Sequence, residues 1–398
     1  MWINLSLDVL SNIFSFLSPD SLARASSVCN HWHTCVHLHS LPYSTSHQHH
    51  FPWFLAFPTR NRSLCCYVQN PVTENWQVVS LDFLPDPARP VTSIGSLLLL
   101  RPTNCTLLRL GLCNPFTRQF KYLPMLNIAR TNPAVGLVVG PAQYGLISDF
   151  KVYVAGGMSE VPCGGATYEP TLEMYDSRHD TWQIVGPMPV EYAVRLTVWT
   201  PNESVYTNGV LYWMTSARAY SLMGLDIESN TWRELSVPMA DRLEFAALMR
   251  RNGKLTLIGG GMCVEGTCVW ELNEEEEDWW LIEKVPIELG LRLLGGRAKW
   301  ESTKCVGSNE AICLYREIGS GMIVWRRQVE VENGDDDLII KRLIPLKTPG
   351  EITMELLDFP KNGICITVKN FFKLHFYTQV PIWRNRVISV SGSTLCCS

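Results

Sequence analysis

The 398-residue chain has almost no histidine beyond its first fifty positions. Seven of nine lie between His31 and His50, leaving His179 and His375. An oxidase centre built on clustered imidazoles is starved of ligands over most of the chain. No two of the fourteen cysteines form a CxxC pair: Cys65-Cys66 and Cys396-Cys397 are adjacent, and four residues separate Cys263 from Cys268. That spacing favours neither a zinc nor a disulfide framework and leaves the thiols as small apolar core residues. Excess positive charge is also missing. Thirty-four Lys and Arg against thirty-eight Asp and Glu give a net charge of −4, without the basic stripe that a nucleic-acid binder requires. Apolar runs are short, as in Ile94 to Leu100, and no Lys or Arg precedes Arg24. Neither a membrane span nor a secretory signal is expected, which predicts a soluble protein of the cytoplasm or nucleus. Gly164-Gly165 and Gly259 to Gly261 precede no Gly-Lys-Ser/Thr, so no phosphate loop is indicated. No metal and no cofactor are expected.

What is present divides the chain in two. With 46% hydrophobic and 18% charged residues, it has the means to bury a large core. In the first forty residues Val9, Leu10, Ile13, Phe14 and Leu17 recur at helical spacing. Ser18-Pro19-Asp20 then reads as a helix start, with Ser18 as cap and Pro19 in the first turn. Leu22, Ala25, Val28, Cys29, Trp32 and Val36 carry a second apolar stripe. A helical unit this short holds a poor core by itself and is built to dock on something.

The order and spacing of Leu5-Ser6-Leu7-Asp8-Val9-Leu10, Ile13 to Ser18, Asp20-Ser21-Leu22 and Val28 to Trp32 resemble the F-box motif, with Ser6 where that family usually has proline. The resemblance implies binding to a Skp-family adaptor, and through it a cullin. Leu5, Leu10, Ile13, Phe14, Leu17, Leu22, Val28 and Trp32 are then adaptor contacts or the unit's own small core.

From residue 51 the text turns strand-like, and one template recurs: Asn or Asp, five residues, then a large aromatic. It runs Asn70 to Trp76, Asn114 to Phe120, Asp176 to Trp182, Asp226 to Trp232 and Asn273 to Trp279, at intervals of 44, 62, 50 and 47 residues. The Asn or Asp side chain starts a turn by bonding its own backbone, and the aromatic opens the return strand with a ring large enough to bind one sheet to the next. Upstream stand apolar strands, the clearest being Lys151 to Ala155 followed by Gly156-Gly157, and Leu255 to Ile258 followed by Gly259-Gly260. Val210 to Met214, Ser96 to Leu100, Ala311 to Tyr315, Gly363 to Thr367 and Trp53 to Phe57 bring the candidate inner strands to seven.

This pattern is similar to the kelch repeat, which implies a mainly β fold, a β-propeller of four-stranded blades. Dividing the length by the ~50-residue period favours seven blades, with six the alternative. The expected organisation is an all-α F-box domain at 1–42, a His-rich linker at 43–52 and the kelch propeller at 53–398. Together these features resemble the plant-type F-box/kelch-repeat family. The implied function is that of a non-catalytic substrate receptor in a Skp–cullin–F-box ubiquitin ligase, holding an unidentified protein client. The rivals are a kelch scaffold whose helical segment merely caps the propeller and, further off, a propeller enzyme acting on carbohydrate. The acidic runs Glu274 to Asp278 and Asp335 to Asp337 read as solvated turns. The basic pairs Arg250-Arg251, Arg326-Arg327, Lys341-Arg342 and Arg384/Arg386 would suit an acidic partner. Longer segments at Ile128 to Gly145, Met158 to Pro170 and Met262 to Thr267 are expected to gather on one face and carry recognition.

Overall fold

The computed structural model describes residues 5–15, 17, 25, 28–38, 53–58, 64–69, 76–94, 97–140, 149–161, 164–198, 204–216, 219–261, 267–285, 290, 293–294, 300, 303–307, 311–316, 322–329, 339–344 and 364–369. For residues 15, 36–38, 53, 58, 76, 311, 316, 322–329, 339–344 and 364–369 it describes the backbone alone. The described residues fall into a small helical unit, 5–38, and a β unit, 53–369.

In the helical unit α1 spans Leu7–Ser15 and α2 spans Asn30–Leu38. Ser18 to Asp20 and Leu22 lie outside the described residues. The second apolar stripe is not one uninterrupted helix. Val28 N–H closes a tight turn onto Ala25 O (3.1 Å), and the new helix begins with His33 N–H donating to Cys29 O (2.9 Å).

The β unit opens with β1 (Trp53–Pro58), β2 (Cys65–Gln69) and β3 (Trp76–Ser80). Next come β4 (Ala88–Ile94), β5 (Leu97–Pro102), β6 (Gly111–Asn114) and β7 (Gln119–Tyr122). The following sheet holds β8 (Ala134–Val139), β9 (Phe150–Ala155), β12 (Thr171–Asp176) and β13 (Thr181–Pro187). A small hairpin, β10 (Met158–Glu160) with β11 (Ala166–Tyr168), interrupts it, and α3 (Val190–Val198) follows it. Two regular sheets succeed: β14 (Ser204–Thr207), β15 (Val210–Thr215), β16 (Ser221–Asp226), β17 (Thr231–Ser236); then β18 (Phe245–Arg251), β19 (Lys254–Gly260), β20 (Thr267–Asn273), β21 (Asp278–Lys284). The last are β22 (Thr303–Gly307), β23 (Ala311–Arg316), β24 (Met322–Val329), β25 (Ile339–Ile344) and β26 (Ile364–Lys369).

Five four-stranded antiparallel blades are each drawn from one consecutive stretch of chain. A sixth sheet is composite, in the order β26-β1-β2-β3. The favoured count of seven is therefore corrected. Six of the seven candidate inner strands (β1, β5, β9, β15, β19, β23) each take the second place in a sheet. The seventh, β26, founds no blade of its own: it pairs with β1 from Trp53↔Lys369 to Pro58↔Ile364. The first strands β4, β8, β14, β18, β22 and β26 touch in that order, and β26 returns to β4, so the ring closes.

The second strands are buried on both faces, as their apolar runs predict: all of β15 is buried, as is β19 after Lys254. Apolar side chains from neighbouring sheets interlock. Leu99 of one sheet meets Val135, Val152 and Val154 of the next, and Leu211 and Trp213 join Ala134, Tyr153 and Ala155. Among the described residues the cysteines are free thiols, and Cys35, Cys66, Cys113, Cys268, Cys305 and Cys313 are buried.

The turn template is regular in a way its residue types do not announce. Backbone N–H groups of Thr117, Arg178, Ser229 and Glu275 donate to the leading Asn114, Asp176, Asp226 and Asn273 side chains. Four places after that leader, Arg118, Asp180, Asn230 and Glu277 all take left-handed backbone, with φ between 51° and 56°. Asn208-Gly209 and Asn252-Gly253, positive in φ at both positions, form the two-residue hairpins that such dipeptides favour.

The aromatic anchors then reach to the preceding sheet. Trp182 Nε1 donates to Pro124 O (2.8 Å) and Trp279 Nε1 to Ser236 O (2.9 Å). Trp232 stacks on Trp213 with centroids 5.8 Å apart, but its buried N–H meets no acceptor. Phe120 stands edge-on to Tyr122 and against Gly111, where a Cβ would come within 2.5 Å of the ring. Trp76 opens β3, its side chain lying outside the described residues.

Trp182→Ala should cost ~3–5 kcal/mol in urea unfolding, whereas Trp280→Ala, on a ring 55% exposed, should stay within ~0.5 kcal/mol. Trp232→Phe should be better tolerated than Trp182→Phe, because only Trp182 loses a hydrogen bond.

Candidate functional site

Each unit offers one candidate binding surface. In the helical unit the eight sequence-predicted residues separate by environment. Leu10 and Phe14 are each 1% exposed and form the interior, with Phe14 edge-on to Trp32 at 5.2 Å. Leu5, Leu17 and Trp32 are half-buried. The helices are tied by His31 Nε2 to Leu5 O (2.9 Å) and Cys35 Sγ to Leu7 O (3.6 Å). Ile13 at 41% and Val28 at 61% face outward, joined by Val9 at 47%. Val9 and Ile13 stand one helical turn apart, so α1 presents an apolar strip on its outer side while its other face holds the unit together. These solvated apolar side chains give so small a unit an apolar face open to a partner.

In the β unit, consecutive strands run antiparallel. Connections after the first and third strands of each sheet therefore fall at one end of the ring, and those after the second and fourth at the other. The first end is a turn end, closed by polar bonds between neighbouring sheets: Lys121 Nζ to Asp180 Oδ2 (2.7 Å), Asn208 Nδ2 to Glu274 Oε1 (2.8 Å) and Arg233 Nη1 to Glu277 Oε1 (2.9 Å). The run Glu274 to Asp278 is the exposed β20–β21 turn, as expected of a solvated charge run. Asp335 to Asp337 and Arg384/Arg386 lie outside the described residues. Arg326 stands opposite Arg342, and Arg327 opposite Lys341, across β24 and β25.

The other end is a loop end. It carries α3, the β10–β11 hairpin and the 123–133 segment, so two of the three long segments gather there in their described parts. The exception is the connection after β8, which belongs to the turn end; 262–266 lie outside the described residues. Gly156 and Gly157 adopt φ of 66° and 95°. A Cβ on Gly156 would come within 2.8 Å of Ala193 O of α3, and one on Gly157 within 2.9 Å of Thr131 O. Gly259 meets the same need for close approach without positive φ, its Cβ position 3.0 Å from Phe245 O. Gly260, at the end of β19, is buried.

One ion pair organises this end. Arg130 and Glu173 are fully buried at 2.6 Å. Arg130 also donates to Ile128 O, Gly156 O, Thr171 O and Thr171 Oγ1. Glu173 accepts the backbone N–H groups of Asn127 and Ile128. Both charges are thus saturated, the condition under which a buried pair is tolerable. Further out, Arg195 of α3 donates to Glu234 Oε1 (2.8 Å) and to Ser221 and Thr215, and holds the Glu234 carboxyl below its usual range. Met125, Val161 and Val190 are exposed apolar residues of the same end. Sequence reasoning missed both the Arg130–Glu173 pair and this apolar set, since neither carries a local motif. Among the described residues no group of three or more His, Cys, Asp or Glu is placed to hold a metal ion, and no helix is long and apolar enough to cross a membrane.

The F-box domain family matches residues 2–43 and the Kelch motif family matches 149–189, the stretch from β9 through β13. Three Arabidopsis thaliana relatives extend over most of the chain. Protein UNUSUAL FLORAL ORGANS is 22% identical over 79% of this chain and 74% of its own. An F-box protein is 26% identical, over 69% and 77% respectively. An F-box/kelch-repeat protein is 24% identical, over 70% and 71%. The resemblance to plant F-box/kelch-repeat proteins is borne out.

Arg130→Met should cost ~3–5 kcal/mol by stranding the Glu173 carboxylate, and adding Glu173→Leu should recover part of that loss. Chemical denaturation of the single and double variants measures both.

Proposed function

We propose that this chain is the substrate-recognition subunit of a Skp–cullin–F-box ubiquitin ligase, working in the cytoplasm or nucleus. An F-box joined to a kelch propeller is the make-up of a substrate-adaptor type of protein. The observation that carries the finer reading is the outward apolar strip of Val9 and Ile13 on α1, with Val28 also exposed, on a unit whose interior is filled by Leu10 and Phe14. The strip offers the adaptor a helix face to bury, in the manner of helix-in-groove recognition. Leu10, Phe14 and Trp32 hold that face in shape. The client sits on the loop end of the ring, where exposed apolar side chains occur beside charged ones.

In this reading the chain performs no bond chemistry. It holds a client and an adaptor in one assembly, so that encounter between client lysines and a ubiquitin-charged enzyme becomes effectively intramolecular. A ring of sheets locked by interlocking cores suits that task, because a site on rigid elements keeps its geometry while partners exchange.

Capture of a purified Skp-family adaptor by the full chain tests the proposal. Val9→Asp and Ile13→Asp should each weaken capture by ~30-fold or more, as truncating a central contact does, with unchanged circular dichroism. No capture by well-folded wild-type protein would leave a kelch scaffold as the better reading.

A further inference from the structure

Among the described residues of the β unit, the buried charges Arg130, Glu173 and Glu283 are each answered by an opposite one, and Arg101 is not. It is the penultimate residue of β5, directly across the ladder from Arg89 of β4, so the two side chains leave the sheet on the same face. Arg101 is 8% exposed, and Arg89 is exposed. Among the described residues neither takes part in an ion pair. Arg101 Nη2 has one neutral acceptor, Asn132 Oδ1 at 3.3 Å. That Asn132 is itself held in left-handed backbone, φ 48°, on the segment that enters β8. Burial, and then the charge of Arg89, push the Arg101 guanidinium below its ordinary value, with no carboxylate acting the other way.

The acids that flank this seam are engaged. Glu173 is taken by Arg130 and two backbone N–H groups. Asp86 accepts the Tyr122 hydroxyl (2.5 Å) and Asn104 Nδ2 (2.6 Å). Arg101 lies on the same face as Leu99, two residues before it, and Leu99 packs against Val135, Val152 and Val154 of the next sheet. The guanidinium therefore enters the seam between two sheets at the loop end, and Arg89 stands beside it on the innermost strand. Two like charges placed opposite each other repel, and a buried cation with one neutral acceptor is costly. An oxyanion relieves both at once, because a guanidinium fork binds two oxygens in one plane.

We propose that Arg89 and Arg101, with Asn132 beside them, form an anion-binding site that takes a carboxylate or phosphate monoester group of the client. The assignment of the anion to a client rests on the receptor reading above; the site itself does not. Arg101 supplies the buried fork, Asn132 orients it, and Arg89 closes on the anion from the solvent side. The site adds charge selectivity to the apolar surface of the loop end.

The test is isothermal titration of the full chain, at fixed ionic strength, with inorganic phosphate and separately with glutarate. One saturable site, weakened at least tenfold by Arg89→Gln and by Arg101→Met, is the expected result. Binding of phosphate alone assigns the site to phosphorylated clients, and binding of both anions assigns it to acidic side chains as well. No saturable binding with Kd below about 10 mM, or binding unchanged in Arg89→Gln, overturns the proposal. Arg89 is exposed, so its variant decides the matter even where Arg101→Met fails to fold. Adaptor capture measured on the same preparations separates the two readings: lost capture with an intact anion site defeats the receptor reading only, and the reverse defeats the site only.

Discussion

Closure is the constraint on which the β unit depends. The pairing of β1 with β26 joins residues some three hundred positions apart and brings β26 between β22 and β4. Without it the first sheet lacks its innermost strand, and β22 and β4 lose the strand that stands between them. Closure also covers an edge of β1 that would otherwise template association with other chains. A contact of such long range is costly in chain entropy and slow to form. The five consecutive blades therefore have to be stable enough, through local hairpins and interlocking cores, to hold the ring nearly shaped until its last strand arrives.

Two devices supply that stability. Hydrophobic clusters do not respect sheet boundaries: Leu211, Trp213, Met223 and Leu225 of one sheet share a core with Ala134, Tyr153, Ala155 and Leu172 of the previous one. Hydrogen bonds from Trp182, Trp213 and Trp279 to backbone carbonyls of the preceding sheets then fix how the sheets meet. Each ring contributes buried area, which is non-directional, and one N–H, which is not. Trp232 shows the difference, being stacked but unbonded. Orientation at that boundary comes instead from Trp213, whose N–H finds Val135 O at 3.1 Å.

The repeat was readable because its cause is local. An Asn or Asp that bonds its own backbone and an aromatic six places later need no distant partner to be recognised. The blade count was misread for the opposite reason. As text, β26 is indistinguishable from a second strand such as β5, and only its hydrogen-bond partner tells them apart. The left-handed position of the template was missed because Arg118, Asp180, Asn230 and Glu277 share a dihedral and not a residue type. In the helical unit, spacing found the apolar residues but not their sides. Leu10 and Ile13 are equally apolar and three apart, yet one is interior and the other faces solvent. Arg130 and Glu173 stand 43 positions apart, with nothing in the intervening text to link them.

The two ends of the ring differ in what their polar groups do. At the turn end, Lys121, Asn208 and Arg233 each find a partner on the next sheet, so the charges are spent on joining blades. At the loop end the same economy holds for Arg130 and Arg195 but fails for Arg101, which the strands bury against a like charge. Folding alone gives no reason to keep such a residue, since an apolar side chain of similar volume would remove the repulsion and fill the seam. Among the described residues that cost stands on the end that also carries the inserted hairpin, the helix and the exposed apolar residues, and the proposed anion would offset it. On the proposed reading, the unanswered charge puts anion recognition at the loop end, an assignment that rests on the geometry of Arg101 and Arg89 and on no relative.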